Sequence, residues 1–316
     1  MIVAVALGLY AVAGTVALPR LLSRRRWAER APRLAIAVWQ AACASVVTSA
    51  VLAVLAAVIP ASVVGHGLAG LFEACAAFLS DGATVTSTGV WIALASGGAV
   101  AARIAYCGAA VLLRARRERR QHAEMLGLLG RHDSELGAVV VDHNEPMAYC
   151  LPGRESRAVI TTGALRSLAP EEVAAVLAHE QAHLRGRHHL VLAGAQTLTL
   201  AFPHSPLFAQ AKTEIARLVE LLADDVAARR HPPIHIATAL VRLATGRFPA
   251  FALGAGGETA LTRVHRMLNP AAPLSRRERL AGFAAVGLLL AGPAAVAAIP
   301  GLSVFLAHHC HHLFTS

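Results

Sequence analysis

The stretch His179-Glu180-Gln181-Ala182-His183 determines how the rest of this sequence is interpreted. Two histidines four residues apart lie on one face of a helix, so both imidazoles can bind a single zinc ion. The glutamate beside the first histidine can then accept a proton from a zinc-bound water molecule. The stretch therefore predicts a zinc-dependent hydrolase, with His179 and His183 as metal ligands and Glu180 as the catalytic base.

A hydrolytic zinc site needs a third protein ligand and an open position for water. His189 is one candidate, because His179–His189 fits the pattern H-E-x-x-H-x-x-G-x-x-H. Glu220 is the other candidate, and we favour it because Asp224 lies one helical turn further on. Glu220 could bind the metal while Asp224 accepts the outer N–H of a ligating histidine.

The composition indicates a membrane protein. Hydrophobic residues make up 56% of the chain and charged residues 15%, whereas about a quarter of the residues in soluble domains are charged. The apolar residues form four blocks that are long enough to cross a bilayer core of about 30 Å. The predicted spans are Ile2–Leu18, Leu34–Val64, Val90–Leu113 and Ala281–Ile299.

The arginines predict the orientation of these spans. They are concentrated in Arg20–Arg33, Arg114–Arg120 and Arg276–Arg279, whereas Ala61–Gly89 contains neither lysine nor arginine. Basic residues favour the cytoplasmic side of a membrane. We therefore expect a bacterial inner-membrane protein with both termini outside and the zinc motif on the cytoplasmic side. These flanks account for the net charge of +10, so no direct nucleic-acid binding is expected.

One further apolar run, Leu190–Phe202, follows the zinc motif and ends at Pro203-His204-Ser205-Pro206. If this run crossed the membrane, Glu220 would lie on the opposite side from His179. A short run followed by two prolines instead suits a re-entrant or membrane-surface hairpin. We therefore expect the zinc site at the inner surface of the membrane.

Three short strands are predicted before the zinc helix, at Ala138–Asp142, Met147–Leu151 and Ala158–Thr162, with a turn at Pro152-Gly153. An exposed strand of such a sheet can pair with an extended peptide substrate, or the sheet can simply support the helix. Both interpretations stay open at this point.

The predicted fold class is a mainly α membrane protein with about four transmembrane helices. A cytoplasmic, gluzincin-like α+β zinc protease domain is inserted between the third and the fourth helix. The predicted divisions are a three-span membrane region (1–113), the protease domain with a re-entrant segment near 190–208 (114–280), and the fourth span with a short outside His-rich tail (281–316).

Several of these motifs together resemble the BlaR/MecR family of membrane-embedded zinc metalloproteases of the gluzincin type. The resemblance covers nearly the whole chain and includes the pattern of spans. The stretches that carry it are Ala148–Gly153, Val159–Leu165, Leu168–Glu172, Val176–His183, Phe202–Pro206, Glu220–Asp224 and Arg263–Leu268.

This resemblance implies a signal transducer whose zinc endopeptidase cleaves a BlaI/MecI-like winged-helix repressor and so induces resistance genes. Zinc would be held by His179, His183 and Glu220. Arg263 and His265 are candidates for contacts with a tetrahedral oxyanion or the substrate, with a structural role as the alternative. The signal, the cleavage site and the oligomeric state stay open.

Two departures from the family pattern stand out. We expect no penicillin-binding sensor domain, because the chain ends shortly after the fourth span. An acylatable S-x-x-K motif is excluded, because the only lysine is Lys212 and residue 209 is alanine. The second departure is His188, which stands where many relatives carry an acid.

Two other functions remain as alternatives. One is a membrane quality-control or processing protease similar to HtpX or to CAAX proteases. The other is a non-enzymatic metal-binding membrane sensor that uses the tail His308–His312, whose imidazoles and thiol suit zinc or copper.

Overall fold

The computed structural model describes residues 2–23, 25–58, 88–153, 156–245 and 256–314. Most of them are helical. The helices are α1 Ile2–Leu22, α2 Arg25–Arg30, α3 Pro32–Val58, α4 Thr88–Leu129, α5 Thr162–Ser167, α6 Pro170–Arg185, α7 His188–Ala201, α8 Pro206–Ala227, α9 Pro233–Thr245, α10 Gly256–Leu268 and α11 Arg276–Phe314. The strands are β1 Gly130–Asp133, β2 Ala138–Val141, β3 Ala148–Leu151 and β4 Arg157–Thr161.

Four of the described helices are long and apolar enough to cross a membrane. They are α1, α3, the part of α4 from Ala95 onward, and α11 up to Ile299, which correspond to the four predicted blocks. The end of the second block and most of the second connection lie in residues 59–87, outside the described part of the chain. Helix α11 continues from the fourth block through the His-rich tail to Phe314.

Close packing holds the apolar helices together. Helices α1 and α11 both pack against α3. At Gly282 a Cβ atom would lie only 2.5 Å from Cδ2 of Leu34, so glycine is needed for the close approach of α11 to α3.

The sheet has the strand order β1-β2-β4-β3, in which β2 and β4 are parallel and the other neighbours antiparallel. Three strands agree with the sequence prediction within one or two residues. Strand β1 was not predicted, because Gly130-Arg131-His132-Asp133 lacks the apolar alternation that marks a strand. The order leaves β3 at an edge of the sheet.

Both faces of the sheet are covered by helices. Leu126 of α4 packs against Val139 and Val159 on one face. On the other face, Val140 and Ile160 pack against apolar residues of α5 and α6. Alternate residues of β2 and β4 thus contribute to two cores, and the second core places the sheet beside the zinc motif.

Helices α7 and α8 connect the zinc motif to the apolar helices. The predicted hairpin Leu190–Phe202 forms most of α7, which packs against α4 and α8. Arg103 of α4 donates its Nε–H to the Ala201 carbonyl at the end of α7, with an N–O distance of 2.6 Å. Helix α8 buries Phe208 and Ile215 against Trp39 of α3. Entry of α7 into the bilayer stays a prediction.

Candidate metal centre

Three helices contribute side chains to the candidate site. Helix α6 carries the two motif histidines and Glu180, α8 carries Glu220 and Asp224, and α10 carries Arg263. Helix α6 begins at Pro170, where the Glu172 carboxylate accepts the Ala169 N–H at 2.9 Å. This contact satisfies one of the backbone N–H groups at the start of the helix and so helps to fix where the helix begins.

The structure brings His179, His183 and Glu220 together. Among the described residues these three form a group whose potential ligand atoms all lie within 4.8 Å of one another. The two Nε2 atoms are 3.1 Å apart, and the Glu220 oxygens lie 3.6 Å from His179 Nε2 and 3.5 Å from His183 Nε2. Tetrahedral zinc with bonds of about 2.0–2.1 Å places neighbouring ligand atoms about 3.3–3.4 Å apart. The three donors therefore fit one zinc ion.

Asp224 occupies the position that was expected for an outer partner of His179. Its Oδ1 atom lies 2.9 Å from His179 Nδ1, which leaves Nε2 to face the metal position. Arg263 donates two hydrogen bonds to the same carboxylate, at 2.7 and 2.8 Å. Burial alone would raise the pKa of Asp224, but the hydrogen bonds from Arg263 and His179 lower this pKa to about 2. Asp224 is thus a permanent anion behind the first histidine.

His188 is the outer partner of the second histidine, a role that the sequence did not reveal. Its Nδ1 atom lies 3.0 Å from His183 Nδ1, and its side chain is buried. Two neighbouring residues allow the His188 ring to reach His183. Arg187 turns the chain with φ +48°, and a Cβ atom at Gly186 would lie 2.3 Å from the His188 ring. Because a ligating histidine needs a partner for its outer nitrogen, His188 fixes the ring of His183.

His189, the competing third ligand, is not part of the group. Burial and the positive charges of Arg119 and Arg187 lower the pKa of His189, which places its ring near those arginines. The adjacent His188 is the histidine that faces the motif.

The two candidate oxyanion residues lie in different environments. Arg263 is engaged with Asp224 and also lies 3.1 Å from Glu220 Oε2, so it connects α10 to both carboxylates of α8. His265 is exposed on α10, and its carbonyl accepts the Asn269 N–H. Because both of these Arg263 contacts are with carboxylates of α8, Arg263 fits a structural role better than a role in binding an oxyanion.

Glu180 lies beside the strand β3. Burial raises the pKa of Glu180, and the negative charge of Glu220 raises it further against the opposing effect of His179. The Cys150 thiol on β3 lies close enough to the Glu180 carboxylate for Glu180 to raise the pKa of the thiol, after the larger effect of burial, a proximity that sequence reasoning did not predict. A carboxylate with a raised pKa close to an edge strand is well placed to accept a proton during peptide hydrolysis.

The surroundings of His179 favour its protonated form when no metal is bound. Burial alone would lower the pKa of His179, but hydrogen bonds with Asp224 and Glu220 raise it to about 9. Burial and the positive charge of His179 lower the pKa of His183. The His179 hydrogen bond and Arg263 also keep the pKa of Glu220 low in spite of its burial.

Comparisons with known proteins agree with this site. Residues 112–243 match the model of Peptidase family M48, a stretch that contains both motif histidines, Glu180 and Glu220 but not Arg263. Protease HtpX homologs from Burkholderia mallei (strain SAVP1) and Burkholderia pseudomallei (strain K96243) are 29% identical to this chain over 142 residues. The match covers 40% of this chain and 49% of each relative. No solved structure matches.

The chain spans about half the length of the curated relatives that it matches. Within the matched part, the M48 match supports a metalloprotease, and the apolar helices support a membrane protein. Neither finding tests the BlaR-type specificity.

Substitution of the third ligand provides the first prediction. Glu220→Ala should lower the zinc content of the purified protein from about one ion per chain to nearly none, because two histidines alone bind zinc weakly. The matched variant His189→Ala should retain its zinc. Metal content measured by mass spectrometry decides between them, and the reverse result would assign the third position to His189.

The second prediction concerns His188. His188→Ala should lower zinc affinity by about 10–100-fold, because His183 loses the partner of its outer nitrogen. His188→Asp should restore most of the affinity, since a carboxylate can accept the same N–H. Competition with a chromophoric chelator measures these affinities. Equal affinities for wild type and His188→Ala would show that His188 only fills space.

The third prediction concerns protons. At pH 7 zinc binding should release about one proton, because His179 must lose the proton that its pKa of about 9 retains in the metal-free site. Zinc affinity should rise about tenfold per pH unit below pH 9 and level off above it. Calorimetry in buffers with different ionisation enthalpies measures the released proton. A binding enthalpy independent of the buffer would show that His179 is already neutral.

Proposed function

We propose that this protein is a membrane-embedded zinc endopeptidase of the HtpX type that hydrolyses proteins at the inner surface of a bacterial membrane. The observation that carries the proposal is the convergence of His179, His183 and Glu220 from two packed helices, with Glu180 beside them. The match to Peptidase family M48 supports it.

The chemistry of the proposal assigns a role to each side chain. Zinc, when bound, would supply a Lewis acid that lowers the pKa of water and polarises a carbonyl group. Glu180 accepts the proton of the attacking water and passes it to the leaving amine, which its raised pKa favours. Asp224 keeps the His179 ring oriented, and Arg263 balances the two carboxylates on α8.

We place the substrate along β3. Within the described part of the chain this strand pairs with β4 alone, so backbone N–H and C=O groups on its other side can pair with an added strand. Strand β3 packs against α6, and its Cys150 lies close enough to Glu180 for the carboxylate to raise the pKa of the thiol, after the larger effect of burial, which brings this strand near the base. An extended peptide paired with β3 would therefore pass across the metal position.

The membrane location follows from the packing of the catalytic helices on apolar ones. Helix α8, which carries Glu220, buries its apolar side against α3. We infer that the site lies at the inner surface, in a protein that crosses the bilayer more than once and keeps its protease domain in the cytoplasm. Substrates would then be membrane proteins or proteins held close to the membrane.

The second candidate function is the transducer that cleaves a BlaI/MecI-like repressor. It is favoured by a polar network around α2, the helix between the first two spans. Arg217 of α8 pairs with the Glu29 carboxylate at 3.0 Å, and Arg266 of α10 donates to the Glu29 carbonyl at 3.0 Å. A movement of the spans would reach the helices that carry Glu220 and Arg263 through these contacts. The contacts of Glu29 thus form a direct connection between α2 and the two helices α8 and α10.

The non-enzymatic sensor remains a prediction about the tail. It depends on His308–His312, whose side chains lie outside the described residues.

The fourth prediction tests hydrolysis. Glu180→Gln should retain zinc but lower proteolysis by about 10²–10⁴-fold, because an amide cannot accept the proton of water. The assay compares reconstituted wild type and variant on an unfolded membrane protein and on a BlaI/MecI-like repressor. Cleavage of the first favours the HtpX type, and selective cleavage of the second favours the transducer. Unchanged cleavage by a zinc-loaded Glu180→Gln protein would refute the proposed mechanism.

A further inference from the structure

A basic cavity of about 780 Å³ lies between α4 and the end of β3, and none of the zinc-site residues lines it. Four arginines line it, together with apolar residues and the turn Pro152-Gly153. The lining residues are Leu112, Arg116, Arg119, Arg120, Ala123, Leu126, Gly127, Leu151, Pro152, Gly153 and Arg157. Among these described lining residues there is no aspartate or glutamate, and the three arginines of α4, Arg116, Arg119 and Arg120, make its helical wall basic.

The helical part of the lining is one continuous face of α4. Leu112, Arg116, Arg119 and Ala123 follow each other at intervals of three or four residues, which is the spacing of one side of a helix. Arg114 and Arg117 lie on the opposite side, where Arg114 pairs with Glu118 at 2.9 Å. The arginines of α4 thus lie on two sides of the helix, and Arg116, Arg119 and Arg120 are on the side that lines the cavity.

The cavity begins at the expected level of the membrane surface. The apolar block of α4 ends at Leu113, and a helix rises 1.5 Å per residue, so Arg116 and Arg120 lie about 5–10 Å beyond the last apolar residue. Phospholipid headgroups occupy this depth. Leu112 joins the cavity to the apolar part of the helix, and Arg119 is half-buried with its Nε–H donated to the Ala115 carbonyl at 2.9 Å.

We propose that this cavity binds the anionic headgroup of a membrane phospholipid. Guanidinium groups of Arg116, Arg119 and Arg120 would contact the phosphate and headgroup oxygens, because arginine presents paired donors to phosphate. The acyl chains would leave the cavity past Leu112 along the apolar surface of α4. The cavity is continuous with the membrane-spanning face of α4. This continuity favours a lipid over an acidic peptide, because a peptide has no acyl chains to cover that apolar surface.

The test measures binding of fluorescent phosphatidylglycerol and phosphatidylcholine to the purified full-length protein in a neutral detergent. Wild type should prefer phosphatidylglycerol. The double variant Arg116→Gln/Arg120→Gln should lose about 30-fold in that affinity, on the basis of about 1 kcal/mol for each basic residue at an anionic surface. The control Arg114→Gln/Arg117→Gln removes the same charge from the other side of α4 and should lose less than about threefold, because solvent screens it.

Three results would overturn the proposal. Equal losses in the two double variants would show a general effect of charge, and equal affinity of wild type for both lipids would show no headgroup preference. Displacement of the lipid by an acidic peptide or by inorganic phosphate at similar concentrations would show a soluble anion site. Folding of each variant is checked by its zinc content.

A second measurement needs no variant. Lipids that co-purify with the wild-type protein, identified by mass spectrometry, should be enriched in anionic phospholipid relative to the membrane extract. Co-purified lipid with the composition of the extract would contradict the proposal.

Discussion

The ion pair between Arg263 and Asp224 is the interaction on which the rest of the candidate site depends. Asp224 is completely buried, and burial of an unpaired carboxylate costs several kcal/mol. The two short hydrogen bonds from Arg263 compensate for this cost and leave one carboxylate oxygen beside His179. Because Arg263 also lies next to Glu220, one side chain of α10 sets the orientation of the first histidine and the charge of the third ligand.

The two motif histidines differ in the groups behind them. His179 is backed by a carboxylate that is itself held by an arginine, whereas His183 is backed by the imidazole of His188. A neutral imidazole is a weaker acceptor than a carboxylate, so it should donate less negative charge through His183 to a bound metal. A less electron-rich ligand set makes zinc a stronger Lewis acid and binds it less tightly. The imidazole of His188 behind His183 would thus tune a bound metal without changing its three donors.

The sequence predicted those parts of the structure that local pattern determines. The zinc helix, three of the four strands and the four apolar blocks follow from spacing, capping and hydrophobic runs. Strand β1 escaped prediction because it is polar and is held only by pairing with β2. The partners Arg263 and Asp224 are 39 residues apart in the chain, and His188 acts through a turn that depends on Gly186 and Arg187. Such contacts arise from the packing of helices, which no local pattern contains.

The central claim is that two histidines and one glutamate hold a zinc ion whose fourth position is open to water. X-ray absorption spectroscopy at the zinc edge of the purified protein tests it most directly. The account predicts two imidazole nitrogens and two oxygens at about 2.0–2.2 Å, with one oxygen exchangeable for an added inhibitor. A spectrum with three imidazoles, or with a sulfur ligand at about 2.3 Å, would contradict it.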